Sequence, residues 1–435
     1  MPRLHQSVRR RLCQAGFCLF CLLPTAAIFG WRVSLKLPGH VRECERQLTS
    51  QLGLTAKLAA VSYPQPGTRL YEGLELSDPE TDQPVFACRV LEIGRIEGRW
   101  VVQAEEPVLE AGHWRQVWEL LVRRLRHELP SRENIELLPC GLTIRSQGAE
   151  QTYELLGGRI EPEASGESAE LRFRLPGAEM SEPASVRIVR NQQREAPSTK
   201  FVLSTGGAAL PCSLFAPLCD LAGAFGTRAT FAGNLWADDT ADGWQAELTG
   251  RFEQIDLDLL VSSRFHHVLQ GDATLELSGA RFDRSQLVEA HGSLTAGPGA
   301  ISGTIVQAAV EALGCHSPLK LSPDEARGIG GYRQLAMAFS LDAEGLRLAG
   351  ICRGQRPGVM LVGEDGAVLL AKSGDRPLPA IALLRLLVPA SEEMVPATGA
   401  TRRLIPWLPA PPTVPPAQGD GSRPAPTAAI RVGPG

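Results

Sequence analysis

Between residues 169 and 370, apolar and polar side chains alternate with a period of two in segment after segment. Successive side chains of an extended strand point to opposite faces, so this pattern restricts the chain to strands that bury one face. In residues 169–175, Ala169, Leu171, Phe173 and Leu175 alternate with Glu170, Arg172 and Arg174. The alternation recurs at Trp244-Ala246-Leu248, Ile255-Leu257-Leu259, Ala273-Leu275-Leu277 and Leu335-Met337-Phe339-Leu341. It returns at Val359-Leu361 and Val368-Leu370, around a Glu364-Asp365-Gly366 turn. So many strands with one polar face predict an antiparallel sheet or half-barrel rather than parallel β/α layers.

The N-terminus follows a different rule. Residues 12–31 carry one Gln and no charge. As a helix, 20 residues at about 1.5 Å each match the roughly 30 Å hydrocarbon core of a bilayer. Arg3, Arg9, Arg10 and Arg11 precede this segment, which by the positive-inside rule keeps them cytoplasmic and exports the rest. A cleaved signal peptide ending near Pro24-Thr25-Ala26-Ala27 is the alternative. The apolar run continues through Ile28-Phe29-Gly30-Trp31, so the expectation is a single-pass anchor in the inner membrane with the body in the periplasm.

The regions expected are a basic N-terminus (1–11), the transmembrane signal anchor (12–31), a helix with strands (32–112), an amphipathic helix (113–133), a repetitive β-sheet region with helical insertions (134–388) and a proline-rich disordered tail (389–435). Val41, Cys44, Leu48 and Leu52 form one helical face that stops at Gly53. Strands are predicted at 56–61, 69–76 and 85–93. Trp114, Val117, Leu121, Leu125 and Leu129 make a stripe on the second helix. Beside it Arg123, Arg124 and Arg126 suit either anionic lipid or a solvated face capping the sheet. Further helices are expected near 211–225, 302–313 and 378–388. Six prolines between 406 and 416 forbid a core in the tail.

Composition and motifs exclude more than they assign. With 21% charged residues and a net charge of −4, the chain lacks the basic surface of a nucleic-acid binder. The ten cysteines do not form a disulfide framework; outside the apolar segment, where Cys13, Cys18 and Cys21 lie, only Cys212 and Cys219 are close enough in sequence for a local bridge. No G-x-S-x-G, H-E-x-x-H or phosphate-loop motif occurs. His266 and His267 are adjacent and on a strand would face opposite ways. Asp238-Asp239-Thr240-Ala241-Asp242-Gly243 resembles the start of a calcium loop, but Thr249 stands where that loop needs a bidentate Glu. A turn accounts for it. No catalytic residue, metal or cofactor is expected, and the chain is not expected to be an enzyme.

The basic flank, apolar helix, short helix and strand opening together resemble the AsmA-like family of bacterial envelope proteins. The likeness rests on Leu52-Gly53-Leu54, Gly73-Leu74-Glu75-Leu76 and Asp78-Pro79. A second stretch, over 250–261 and 271–282, resembles the family's C-terminal region ahead of a helix like that at 304–313. The resemblance implies a bent sheet whose apolar concave face shields acyl chains, in a protein of lipid transport or outer-envelope maintenance.

The fold expected is therefore mainly β. It comprises an N-terminal transmembrane helix, then a long, bent, mostly antiparallel β-sheet forming a groove or half-barrel, with a few short helices. The expected partners are the inner-membrane lipid bilayer and a phospholipid or other lipid ligand, with no nucleic acid. Leu171, Phe173, Leu175, Leu257, Leu259, Leu275 and Leu277 are the candidate groove-lining residues. The rival reading is an anchored structural scaffold with a closed β-sandwich body whose proline-rich tail binds a partner or the cell wall.

Overall fold

The computed structural model describes residues 10, 14–34, 37–113, 116–117, 134–146, 149–163, 166–175, 182–192, 197–215, 224–240, 243–284, 286–318, 328–372, 376–388 and 409. The helix expected over 113–133 falls outside them except for His113 and a helical pair at Gln116 and Val117. The proline-rich tail falls outside except for Pro409.

Among the described residues, 22 strands form one hydrogen-bonded sheet. The opening strands are β1 (Thr55–Lys57), β2 (Ala60–Ser62), β3 (Arg69–Ser77), β4 (Pro84–Ile96), β5 (Arg99–Glu105) and β6 (Val108–Glu110). The middle strands are β7 (Ile135–Leu137), β8 (Cys140–Ser146), β9 (Ala149–Glu163), β10 (Gly166–Arg174), β11 (Ala184–Asn191), β12 (Ser198–Ser204) and β13 (Leu210–Pro211). Next come β14 (Thr230–Thr240), β15 (Gly243–Asp256), β16 (Asp272–Asp283), β17 (Gln286–Ala296) and β18 (Gly299–Ser302). The last four are β19 (Ile329–Asp342), β20 (Gly345–Gly350), β21 (Val359–Gly363) and β22 (Val368–Ala371). All but two of the strand pairings are antiparallel. The exceptions are β5 with β7 and β6 with β8, which run parallel because the chain crosses over between β6 and β7. These pairings join the two β regions expected from the sequence into one sheet.

Both ends of the sheet are covered, which blunts unpaired strand edges. At the first, a helix at Pro38–Leu52 supplies side-chain acceptors. The Ala56 N–H donates to Thr49 Oγ1 at 3.0 Å and the Leu58 N–H to Glu45 Oε1 at 2.9 Å. That helix stops at Gly53, whose φ of 71° places it in the left-handed region that glycine adopts without cost. At the other end, His316 bridges to Ala371 on β22 and Leu378 to Leu346 on β20.

The N-terminal segment differs from expectation. Residues 14–34 are helical, but a π-helical turn at Cys18–Leu22 precedes α1 (Leu23–Ser34), and the Pro38–Leu52 helix becomes α2. Proline at 24 lacks an N–H and crowds the carbonyl four residues back, which accounts for the wider turn. Among the described residues no helix is long and apolar enough to cross a membrane. Phe20 and Phe29 are 76% and 70% exposed, so the segment presents large apolar groups to its surroundings.

Two further helices sit over the far half of the sheet: α3 (Gly303–Leu313) and α4 (Ala382–Leu387). Gly314, with φ 61°, closes α3, and Lys372 Nζ donates to the Leu313 carbonyl at its C-terminus. α4 is shorter than the apolar run 378–388 that predicted it. The expected helix near 211–225 is a 3-10 turn at Cys212–Phe215 in its described part.

Candidate functional site: an apolar face enclosed by the sheet

Pairing places the alternating residues in rows that run across the strands. One row begins at Val102 on β5 and passes through Leu137, Gly158, Leu171, Val186 and Leu203. It continues through Leu235, Leu248, Ala280, Ala290 and Leu341 to Leu346 on β20. No polar side chain interrupts these 12 strands. One residue along, the row on the opposite face includes Arg159, Glu170 and Arg187, then, past Val202 and Trp236, Glu247, Arg281 and Glu289. Arg159 meets Glu170 at 2.7 Å and Arg281 meets Glu289 at 2.9 Å. Arg281–Glu289 is an exposed pair, worth only about 0–1 kcal/mol, whereas Glu170 is half-buried. Both pairs keep the outer face soluble; the inner face carries the energetics.

That inner face encloses two cavities. The larger, of about 990 Å³, lies between β11–β22 and the helices α3 and α4. Ile305, Val306, Ala309 and Leu313 close it from α3, and Leu383 and Leu386 from α4. The smaller, of about 400 Å³, is lined from Val102 to Leu214 by apolar side chains together with Arg159 and Glu170 from the outer row. Val186 and Leu203 line both, so the two spaces are neighbours along one apolar surface. Residues of 17 strands line these spaces, so the sheet curls around them. The larger sits at the top of the roughly 300–1,000 Å³ range of small-molecule sites.

Glycines make room for the aromatic rings in this face. Gly233 and Gly250 are cross-strand partners. A Cβ on either would lie 3.0 Å from the Phe231 ring, which packs on Phe252 with centroids 4.7 Å apart. Gly292 leaves the same kind of space under Phe339.

The residues expected to line a groove are distributed unevenly. Leu275 and Leu277 line the larger cavity, and Leu171 and Phe173 the smaller. Leu175 is buried just beyond the end of β10. Leu257 and Leu259 are not on a strand, which corrects the alternation read there. Asp256 Oδ1 accepts the N–H groups of Asp258 and Leu259 at 3.0 and 3.3 Å, and this side-chain acceptor ends β15 in a π-helical turn at Asp258–Ser262. The turn buries Leu257 in the core and leaves Leu259 43% exposed.

The chemistry-bearing residues have structural surroundings. His267 is buried, with Nδ1 3.0 Å from Thr304 Oγ1 at the start of α3. Burial holds its pKa below the ordinary imidazole value. His267 joins the loop before β16 to the start of α3. Cys212 is a free, buried thiol that lines the larger cavity, and Cys219 lies outside the described residues. Burial pushes the Cys212 thiol up to about 12 and those of Cys88 and Cys315 to about 11, so all three stay protonated at neutral pH. Asp238 and Asp239 lie within β14, opposite Gln245 and Trp244. Among the described residues no three metal-ligating side chains come together.

Sequence reasoning missed Phe201, Leu203, Leu235 and Leu294, which line the larger cavity. Thr199, Phe201 and Leu203 do alternate with Lys200 and Val202, so that signal was present. The wall that defines the site is a class of surface, an apolar sheet face curled under two helices. No family model and no curated protein matches the chain.

Proposed function

We propose that this protein is a non-enzymatic, membrane-anchored envelope protein that holds or conducts lipid acyl chains along the apolar face of its sheet. The unbroken apolar row from Val102 to Leu346, with two cavities along it, carries this reading. A buried methylene contributes about 0.8 kcal/mol, so an acyl chain of ~14 methylenes gains roughly 11 kcal/mol before the costs of binding. A sheet that offers such a face must cover it or use it. The exposed apolar helix at the N-terminus, with Phe20 and Phe29 outward, supports insertion into the inner membrane, with the body in the periplasm.

A photo-crosslinking amino acid placed at Leu294 in living cells tests the lipid reading. Leu294 lies on the cavity wall between Leu275 and Met337. The expected result is a lipid adduct at Leu294 and none with the probe at Glu276, the outward neighbour of Leu275. Adducts at both positions, or at neither, would count against a lipid-holding face. For the anchor, protease added to cells with a permeabilised outer membrane is expected to digest the body and spare an N-terminal tag. A protected body would reverse the topology.

A further inference from the structure

We infer that the two cavities are successive stations of one path, and that the junction between them, formed by Val186, Leu203 and the segment 210–214, governs the passage of an acyl lipid from the smaller to the larger. The inference rests on the lipid reading and adds to it a route and a side-chain barrier.

Among the described residues only Val186 and Leu203 line both spaces. They are cross-strand partners on β11 and β12. Val186 also pairs with Leu171 on β10, and Leu203 with Leu235 on β14. Leu171 lines the smaller space alone and Leu235 the larger alone, so the two spaces meet at this one pair. A second segment divides in the same way. Leu210 and Leu214 line the smaller space, while Cys212 between them lines the larger. Leu203, Leu210 and Cys212 are buried, whereas Val186 is half-buried. None of these side chains carries a charge at neutral pH.

The junction is narrow but has no polar barrier. A methylene that slides past Val186 exchanges one apolar surface for another and stays out of water. What it must displace is side-chain volume, and close-packed interiors resist even small additions of volume. Passage is therefore set by the size of the side chain at position 186. Direction follows from the order of the strands. The smaller cavity is built from β5 to β13, on the side of the sheet where α2 packs, and the larger from β11 to β22 under α3 and α4. The edge of the larger cavity at Trp244, which is 38% exposed, also meets water. A chain entering there must first leave the bilayer for water and expose every methylene, whereas the path through the junction keeps it covered.

The test uses the full chain in cells fed an alkyne-bearing fatty acid. A photo-crosslinking amino acid stands at Leu142, which lines the smaller cavity, or at Leu294, which lines the larger. With no other substitution both positions are expected to carry the tagged lipid, Leu142 sooner after feeding than Leu294. Val186→Trp is expected to keep the Leu142 adduct and to lower the Leu294 adduct by about tenfold. Val186→Ala widens the junction and is expected to shorten the lag between the two positions, which keeps the inference testable should the tryptophan variant fail to accumulate. Val202→Trp puts the same ring on the outer face of β12, where Val202 is 39% exposed, and is expected to change neither adduct. Undiminished labelling at Leu294 in folded Val186→Trp, an unchanged lag in Val186→Ala, or loss at Leu142 in place of Leu294 would overturn the inference and leave the lipid reading standing. No adduct at either position without further substitution would overturn the two together.

Discussion

Leu275→Asp is expected to leave the protein folded and to strip it of bound lipid. Leu275 faces the cavity between Phe252 and Leu294, on a wall that encloses about 990 Å³ rather than a filled interior. In the empty protein, water that reaches the cavity can solvate the carboxylate, so the fold loses little. In the occupied protein the same carboxylate must lie against methylenes, which costs several kcal/mol for an unpaired charge. A loss of about 3 kcal/mol lowers affinity roughly a hundredfold. Lipid extracted from the purified variant should then fall to near background, with circular dichroism unchanged. Glu276→Gln, the next residue and on the opposite face, is the control expected to keep its lipid. An unfolded Leu275→Asp would mean that the wall is a packed core and would favour the closed scaffold.

Gly250→Val is expected to destabilise the body severely. Gly250 has φ 144°, and a Cβ there would lie 2.7 Å from the Gly233 Cα and 3.0 Å from the Phe231 ring. Strained backbone costs about 1–3 kcal/mol and overpacking about 1–3 kcal/mol more. Together they remove a large share of a typical stability of roughly 5–15 kcal/mol. The chemical denaturation midpoint should drop sharply, or the variant should fail to accumulate. Gly330→Ala is the matched control, since a Cβ there meets nothing within 4 Å. A Gly250→Val midpoint equal to that of the control would show that the two strands do not approach as described.

The strands were readable because alternation is local. Leu335, Met337, Phe339 and Leu341 share one face of β19 and all line the cavity, as a period of two requires. The same rule misled at Leu257 and Leu259, where Asp256 diverts the backbone into a turn. Alternation reports which residues could share a face; it does not report where a side-chain acceptor stops the strand. The row from Val102 to Leu346 is not legible in the sequence, because it depends on the register of eleven successive strand pairings. Gly158, Ala280 and Ala290 are weak apolar signals singly, and only pairing sets them among leucines. Asp239 was read as part of a turn. Its place within β14, opposite Thr199 and Trp244, emerges only from strand pairing.

The lipid content of the wild-type full chain, extracted under mild detergent and measured by native mass spectrometry, tests the central claim most directly. The account predicts mass additions matching acyl lipids that persist through purification and disappear in folded Leu275→Asp. Wild-type protein that carries no acyl lipid, and takes none up from lipid vesicles, would contradict it.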